Sequence, residues 1–432
     1  MYACGAKDQP GTLLIQQTNH TFIKKDTAVF KVDAICEDVD AVFFDADNDK
    51  ALDLFVVSGG NEVPKQPNAL EDRLYLNDGK GNFTKAIDHF VSQNENKSCV
   101  AVADIDNDGD NDLFVGHLAD PTKYGLPRTS YLYTNDGKAH FTLADSNRIN
   151  LNSIGMVTAA SFADLNNDGW QDLVVAGEWM AVKTFINNKG VFTAAEVPQS
   201  TGLWQTIFPA DVNGDGFIDL LAGNWGHNTK LYSGKNGPCK LYTNDFDKNG
   251  ATEQLMCYTI DGKEYTFLAK DELERRMPVL KRHYLKYREV AGKTVQYVFY
   301  DQFKNYTELK AEVLASSCFI NDGKGNFTRV DLPAELQLAP VMSFTKAAKP
   351  GSFIAGGNFY GVIPYEGRYD ALLPTEFSFD EGRKQFSAGF NIQNLDGEIR
   401  DIKWINVAGN EKILMLARNN KELVFVKNPK GR

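Results

Sequence analysis

One acidic nonapeptide, written five times, constrains this chain more than any bulk property. ADIDNDGDNDLFVGH carries five acids within nine positions, Asp104, Asp106, Asp108, Asp110 and Asp112. Its grammar, D-x-[DN]-x-[DN]-G-x-x-[DE] and then a mostly apolar run, opens at Asp45, Asp104, Asp164, Asp211 and Asp245. Two like charges about 4 Å apart repel by roughly 4 kcal/mol at an effective dielectric of about 20. Loops of this composition therefore call for a cation. An all-oxygen ligand set in a flexible loop suits Ca²⁺, whereas Mg²⁺ demands a rigid octahedron and keeps more of its water.

The candidate ligands stand at the first, third, fifth and ninth positions. They are Asp45, Asp47, Asp49 and Asp53; Asp104, Asp106, Asp108 and Asp112; Asp164, Asn166, Asp168 and Asp172; Asp211, Asn213, Asp215 and Asp219; and Asp245, Asp247, Asn249 and Glu253. The expectation is up to five Ca²⁺ ions. A tight metal loop needs positive φ at its sixth position, which glycine adopts freely. Gly109, Gly169, Gly216 and Gly250 meet that need, and Lys50 makes the first loop the weakest geometrically. An EF-hand is excluded, because it needs a twelfth-position Glu and Val56, Val115, Val175, Ala222 and Met256 stand there.

A second element recurs downstream: YLNDGKGNFT, YTNDGKAHFT and FINDGKGNFT, with a degenerate FINNKGVFT. Asn-Asp-Gly between β-type runs signals a hairpin. Apolar runs such as CVAVAD lead into the acidic loop and runs such as DLVVA lead out of it. Each unit thus reads as four antiparallel strands. One such sheet cannot bury both faces alone, and radial packing of several gives a β-propeller. The expected fold is all-β, a single propeller domain over 1–432 with seven blades, eight being the alternative. Residues 11–26 and 399–428 are expected to close one blade together.

The stretch 264–313 departs from this pattern as a mainly helical insertion in the fifth loop-bearing unit. Leu273, Met277, Leu280, Tyr284 and Tyr287 recur at helical spacing. Its cations, Arg275, Arg276, Lys281, Arg282, Lys286 and Arg288, read as the solvated outer face of a capping helix.

At the acidic loops the chain resembles the FG-GAP or VCBS repeat family, whose members are similar to the integrin α-subunit propeller. GNFYGVIPYEGRYDA (357–371) and the helical insertion further resemble Bacteroidetes-type proteins related to the ASPIC/UnbV group. The resemblance implies Ca²⁺ in the loop joining a blade's first two strands. It also implies a secreted protein used for adhesion and binding, extracellular, at the cell surface or periplasmic. Weak calcium sites point the same way, and the export signal is expected upstream of Met1.

The loops after the second strands are expected to converge on the face opposite the acidic loops. They carry Asn61, Glu62, His117, Glu178, Trp179, Asn224, Trp225, His227, Asn358, Tyr360 and Arg368. Aromatics beside amides and carboxylates suit carbohydrate binding; the expected ligand is a glycan or a protein partner. Two other readings are a polysaccharide lyase or hydrolase, with Glu178 and His227 as acid and base, and a purely structural module of a larger chain. No catalytic residue is assigned, because no nucleophile elbow, zinc-protease motif or phosphate loop is present. The net charge of −11 argues against a nucleic-acid partner, and no apolar run is long enough for membrane insertion. The six cysteines form no metal-ligand spacing.

Overall fold

The computed structural model describes residues 1–17, 21–60, 67–231, 237–362, 367–407 and 411–427. Eight antiparallel sheets account for the strands among them. The first holds β1 (Tyr2–Ala3), β2 (Thr12–Gln16) and β3 (Phe22–Lys25), followed by helix α1 (Ala28–Val32). The second holds β4 (Glu37–Phe44), β5 (Asp53–Gly59), β6 (Arg73–Asn77) and β7 (Phe83–Lys85). The third holds β8 (Asn96–Ala103), β9 (Asp112–Ala119), β10 (Tyr131–Asn135) and β11 (Phe141–Leu143). The fourth holds β12 (Met156–Ala163), β13 (Asp172–Met180), β14 (Lys183–Asn188) and β15 (Val191–Glu196), with β16 (Gly202–Leu203) paired to β13.

The fifth sheet begins with β17 (Thr206–Ala210) and β18 (Asp219–Gly223) and is then interrupted. An inserted sheet comes first: β19 (Cys239–Asn244), β20 (Glu253–Ile260) and β21 (Lys263–Thr266). Helices α2 (Lys270–Arg276), α3 (Val279–His283) and α4 (Val295–Phe299) follow, and β22 (Thr307–Ala311) returns to the free side of β19. Only then do β23 (Ser317–Asn321) and β24 (Phe327–Asp331) complete the fifth sheet, with Leu220 opposite Phe319 and Leu221 opposite Cys318. The last two sheets hold β25 (Val341–Lys346), β26 (Ser352–Gly357), β27 (Thr375–Asp380) and β28 (Gln385–Asn391), and β29 (Ile399–Val407), β30 (Glu411–Arg418) and β31 (Val424–Val426).

This topology changes the reading of FINDGKGNFT. The sequence suggests that it resumes the Asp245 unit. It belongs instead to the Asp211 sheet, across an insertion that holds the whole Asp245 sheet as well as the helices. The insertion is therefore a four-stranded sheet with a helical cap, and helix is confined within 270–302. Residues 11–26 and 399–428 were expected to close one unit. Their described parts lie in two separate three-stranded sheets, which meet where Phe22 stacks on Phe425 at 5.1 Å.

The first strands β4, β8, β12, β17, β25 and β29 neighbour one another in that order. The second strands β5, β9, β13, β18 and β26 are consequently buried on both faces. Phe55, Val57 and Leu74 pack on Val100, Leu113 and Tyr133 of the next sheet. Phe114 and Leu132 pack on Val157, Leu173 and Phe185 beyond it. Two-sided burial explains why the second strands read as unbroken apolar runs; all seven residues of β5 are buried. At the far end of these strands the neighbours close in. A Cβ on Gly223 would lie 2.3 Å from the Val341 carbonyl oxygen of the next sheet. No helix among the described residues is long and apolar enough to cross a membrane.

The backbone carbonyl facing Gly223 cannot swing aside, so Gly223→Val should cost at least about 2 kcal/mol. Gly214→Ala meets nothing within 4 Å and should cost only the strain of its positive φ, about 1 kcal/mol. Urea unfolding of the two variants measures the difference.

Candidate metal centres

The five acidic loops share one hydrogen-bond skeleton. The first-position carboxylate accepts from the sixth backbone N–H: Lys50 to Asp45 at 2.8 Å, Gly109 to Asp104 at 3.0 Å, Gly169 to Asp164 at 2.8 Å, Gly216 to Asp211 at 3.1 Å and Gly250 to Asp245 at 2.9 Å. The fifth-position side chains Asp49, Asp108, Asp168, Asp215 and Asn249 each accept from the N–H two residues on. The chain enters the left-handed region at the sixth position of every loop, and Lys50 follows with φ 72°. The first loop thus keeps the shared conformation despite lacking glycine. The fourth position is left-handed too, at Asn48, Asn107, Asn167, Gly214 and Lys248, a requirement the consensus did not reveal.

The ninth-position acid is buried at the start of the second strand. Asp53, Asp112, Asp172 and Asp219 are at most 1% exposed. One oxygen of each accepts from the second loop residue, as Ala46 N–H donates to Asp53 at 2.9 Å and Ile105 N–H to Asp112 at 3.0 Å. The other accepts from the end of the third strand: Asn77, Asn135, Asn187 and Asn321 donate their backbone N–H at 2.8, 2.9, 2.7 and 2.8 Å. Glu253 keeps the first bond, to Phe246 N–H at 2.8 Å.

Three of those asparagines also tie neighbouring sheets together. The Nδ2 of Asn135 donates to the Ala46 carbonyl at 2.9 Å, that of Asn187 to Ile105 at 2.7 Å, and that of Asn321 to Leu165 at 2.8 Å. Each accepting carbonyl belongs to the second residue of the preceding sheet's acidic loop. The asparagine of the N-D-G element is therefore an inter-sheet clamp as well as a turn residue. Its recurrence was visible in the sequence, but its partner was not.

Within this frame carboxylates converge. Oxygens of Asp45, Asp47 and Asp53 lie within 4.8 Å of one another, as do those of Asp104, Asp106 and Asp108, and of Asp245, Asp247 and Glu253. Asp45 Oδ1 and Asp106 Oδ1 are buried with no hydrogen-bond partner. Unpaired buried carboxylate oxygens aimed into a cluster fit a hard cation. In the third and fourth loops Asn166 and Asn213 turn Nδ2 toward Asp168 and Asp215, at 2.9 and 2.8 Å. In the second loop Arg148 reaches Asp106 at 3.1 Å. Burial pushes the carboxyls of Asp112, Asp172 and Asp219 up to about 6 against the pull of their backbone N–H donors. Burial raises Asp53 and Glu253 as well.

The positions expected in loops after the second strands are used differently from one another, and His117, Glu178 and Trp179 lie within β9 and β13 themselves because these strands run further than the apolar runs suggest. Asn61 and Glu62 lie outside the described residues. His117 is fully buried, with Nδ1 3.2 Å from Glu95. Asn224 and Asn358 are buried and hold backbone carbonyls, Val313 for the first and Leu372 and Gly397 for the second. Trp179 is 4% exposed, and its indole donates to Tyr124 Oη at 3.0 Å. It packs with Met156 and Leu203 against Cys239, Leu241 and Ala311 of the inserted sheet. The insertion thus covers part of this face. Glu178 accepts from Tyr124 and from Gln205, while His227 is exposed. A second group does come together: Trp225 lies 5.4 Å from Phe359 and 5.2 Å from Tyr369, and the Arg368 guanidinium sits 4.9 Å over Tyr360.

A family model described as an FG-GAP-like repeat matches residues 45–115, 124–175 and 164–222. The chain carries three FG-GAP-like repeats. The matched segments hold the first four acidic loops, and the Asp245 loop of the inserted sheet lies outside them. Among solved structures the chain is similar to BBS1N in complex with ARL6DN, a crystal soaked with lead. That likeness has 10% identity, covers 89% of this chain and 78% of that one, and has a TM-score of 0.40. The chain is also similar to the V. cholerae biofilm matrix protein Bap1, with 10% identity, 95% and 78% coverage and a TM-score of 0.37. No curated protein sequence matches. The narrower Bacteroidetes and ASPIC/UnbV grouping suggested by 357–371 is not supported by these matches.

Without a bound cation the raised ninth-position carboxyls set a pH dependence. A folded value of about 6 lies above the ordinary Asp value of about 3.9. The proton is thus held more tightly in the folded chain, and the linked stability is complete below about pH 4 and lost as pH rises through about 6. In EDTA the urea midpoint should rise between about pH 7 and pH 5; a flat or falling profile contradicts the assigned environment. Asn135→Ala should cost about 1 kcal/mol with or without calcium, because it removes one of the two hydrogen bonds to the Ala46 carbonyl, the Ala139 N–H keeping the other at 2.9 Å.

Proposed function

We propose that the chain is a calcium-stabilised β-propeller acting as a binding module outside the cytosol. The carrying observation is the common skeleton of the five acidic loops, with carboxylates converging in three of them and unpaired buried carboxylate oxygens in the first two. Calcium, when bound, would supply the positive charge that such clusters lack. Asp45, Asp47, Asp53, Asp104, Asp106, Asp108, Asp245, Asp247 and Glu253 would hold it in three loops, and Asp164, Asn166, Asp168, Asp211, Asn213 and Asp215 in the other two. Five ions would offset +10 of the net −11.

The proposed ring has seven sheets. Six supply the neighbouring first strands, and the β1–β3 sheet is the seventh. It packs Leu13 on Leu54, Val56 and Tyr75 of the second sheet, and its Phe22 reaches Phe425 of the last. The inserted sheet stands outside the ring.

The ligand surface we favour is the aromatic group of Trp225, Phe359, Tyr360 and Tyr369 with Arg368. Partly exposed rings beside a guanidinium suit the apolar face and polar edge of a sugar, or a protein loop. An acid–base pair of Glu178 and His227 gains no support, since the Glu178 carboxylate is occupied by Tyr124 and Gln205.

Calcium should raise the melting temperature. A site at about 100-fold saturation adds about 2.7 kcal/mol, so identical melts in EDTA and in millimolar Ca²⁺ would refute the metal reading. Trp225→Ala should abolish capture on a glycan and protein screen without changing the calcium-dependent melt. Trp179→Ala should lower stability instead.

A further inference from the structure

We propose that the helical cap of the inserted sheet is a docking surface for a lipid bilayer carrying anionic headgroups. Residues 275–293 hold seven Lys and Arg against one acid, Glu289, a balance of +6 in a chain of net −11. The rest of the chain therefore carries −17. Arg275, Arg276, Lys281, Arg282, Lys286 and Arg288 are all exposed. Among the described residues none of them forms an ion pair, although Lys and Arg elsewhere, such as Arg73 with Asp38, are paired. Hydrogen bonds lower the carboxyls of Asp271 and Glu289, and Arg275 lies near enough to the first, and Lys286 and Arg288 to the second, to lower them further. The exposed cations of 275–293 nevertheless outnumber these acids and leave an excess open to an external anion.

The cap, extended to Tyr300, also exposes apolar groups. Leu285 is 79% exposed, Tyr300 81%, Tyr287 56% and Tyr297 51%. The Lys293 ammonium lies over the Tyr297 ring at 4.8 Å. The cap is not loose: Leu273, Met277 and Leu280 pack with Val295, Val298 and Phe299 against Tyr242, Phe246 and Leu255 of the inserted sheet. The packed side is fixed, so the outward side presents its cations and apolar groups together.

A soluble polyanion would satisfy the cations but leave Leu285 and the tyrosines in water. A bilayer surface takes both, since anionic headgroups attract Lys and Arg while tyrosine and leucine settle at the headgroup boundary. The −17 on the remaining residues would turn the rest of the molecule away from such a surface and steer the cap toward it. The inference needs neither the calcium sites nor the proposed glycan surface.

Co-sedimentation of the full chain with vesicles tests this. Phosphatidylcholine vesicles in which a third of the lipid is phosphatidylglycerol should bind it at least about tenfold better than pure phosphatidylcholine, and high salt should release it. Arg276→Glu combined with Lys281→Glu and Arg282→Glu should remove that preference. Leu285→Ser should weaken binding severalfold while keeping the charge dependence, and unchanged melts would show that both variants fold. Equal binding to both vesicle types, or binding untouched by the triple variant, overturns the proposal. So does retention on heparin without sedimentation on vesicles, which would make the partner a soluble polyanion.

Discussion

A buried carboxylate at the ninth loop position organises this molecule. Asp112 shows how. It enters the core at the first residue of β9, a site where an unpaired charge would be prohibitive. Two backbone N–H groups make it tolerable, one from its own acidic loop and one from the third strand. A single side chain thereby fixes the loop to the strand that follows it and sets where the third strand ends. The adjoining asparagine then reaches back to the preceding sheet. Loop shape, strand register and sheet-to-sheet contact are consequently coupled, and a substitution of this acid would disturb all three.

The central sheets depend on one another because β5, β9, β13, β18 and β26 have no solvent face. Val56 and Val57 are successive residues pointing to opposite sides, and both are fully buried. One packs toward the β1–β3 sheet and the other toward the third sheet. Glycine at the strand's far end is the steric counterpart of the acid at its near end. The acid clamps its end by hydrogen bonds, and the glycine lets the other end approach its neighbour.

Much of this was legible. The loop periodicity marked all five acidic turns, the N-D-G elements marked the hairpins, and the second strands announced themselves as apolar runs. The matched repeats rest on those residues. Other features were not legible because they depend on residues far apart in the chain. The partner of Asn321 is the Leu165 carbonyl, 156 positions away. Trp179, at the end of β13, and Trp225, just past β18, look alike in sequence. The insertion covers the first, while the second sits partly exposed among Phe359 and Tyr369.

The sequence by itself determined the local pieces: acidic loops of one recurring form, turns that need left-handed residues, and strands too apolar to face water. Those outcomes follow from interactions within a few residues, which a short motif can encode. Only the tertiary structure decided how the pieces are joined. It assigned β23 to β18 rather than to the nearer β20, placed a whole sheet and its cap between two strands of another, and separated packed aromatics from exposed ones. Strand pairing is settled by which apolar faces fit together, and backbone hydrogen bonds are nearly indifferent to the length of chain between them.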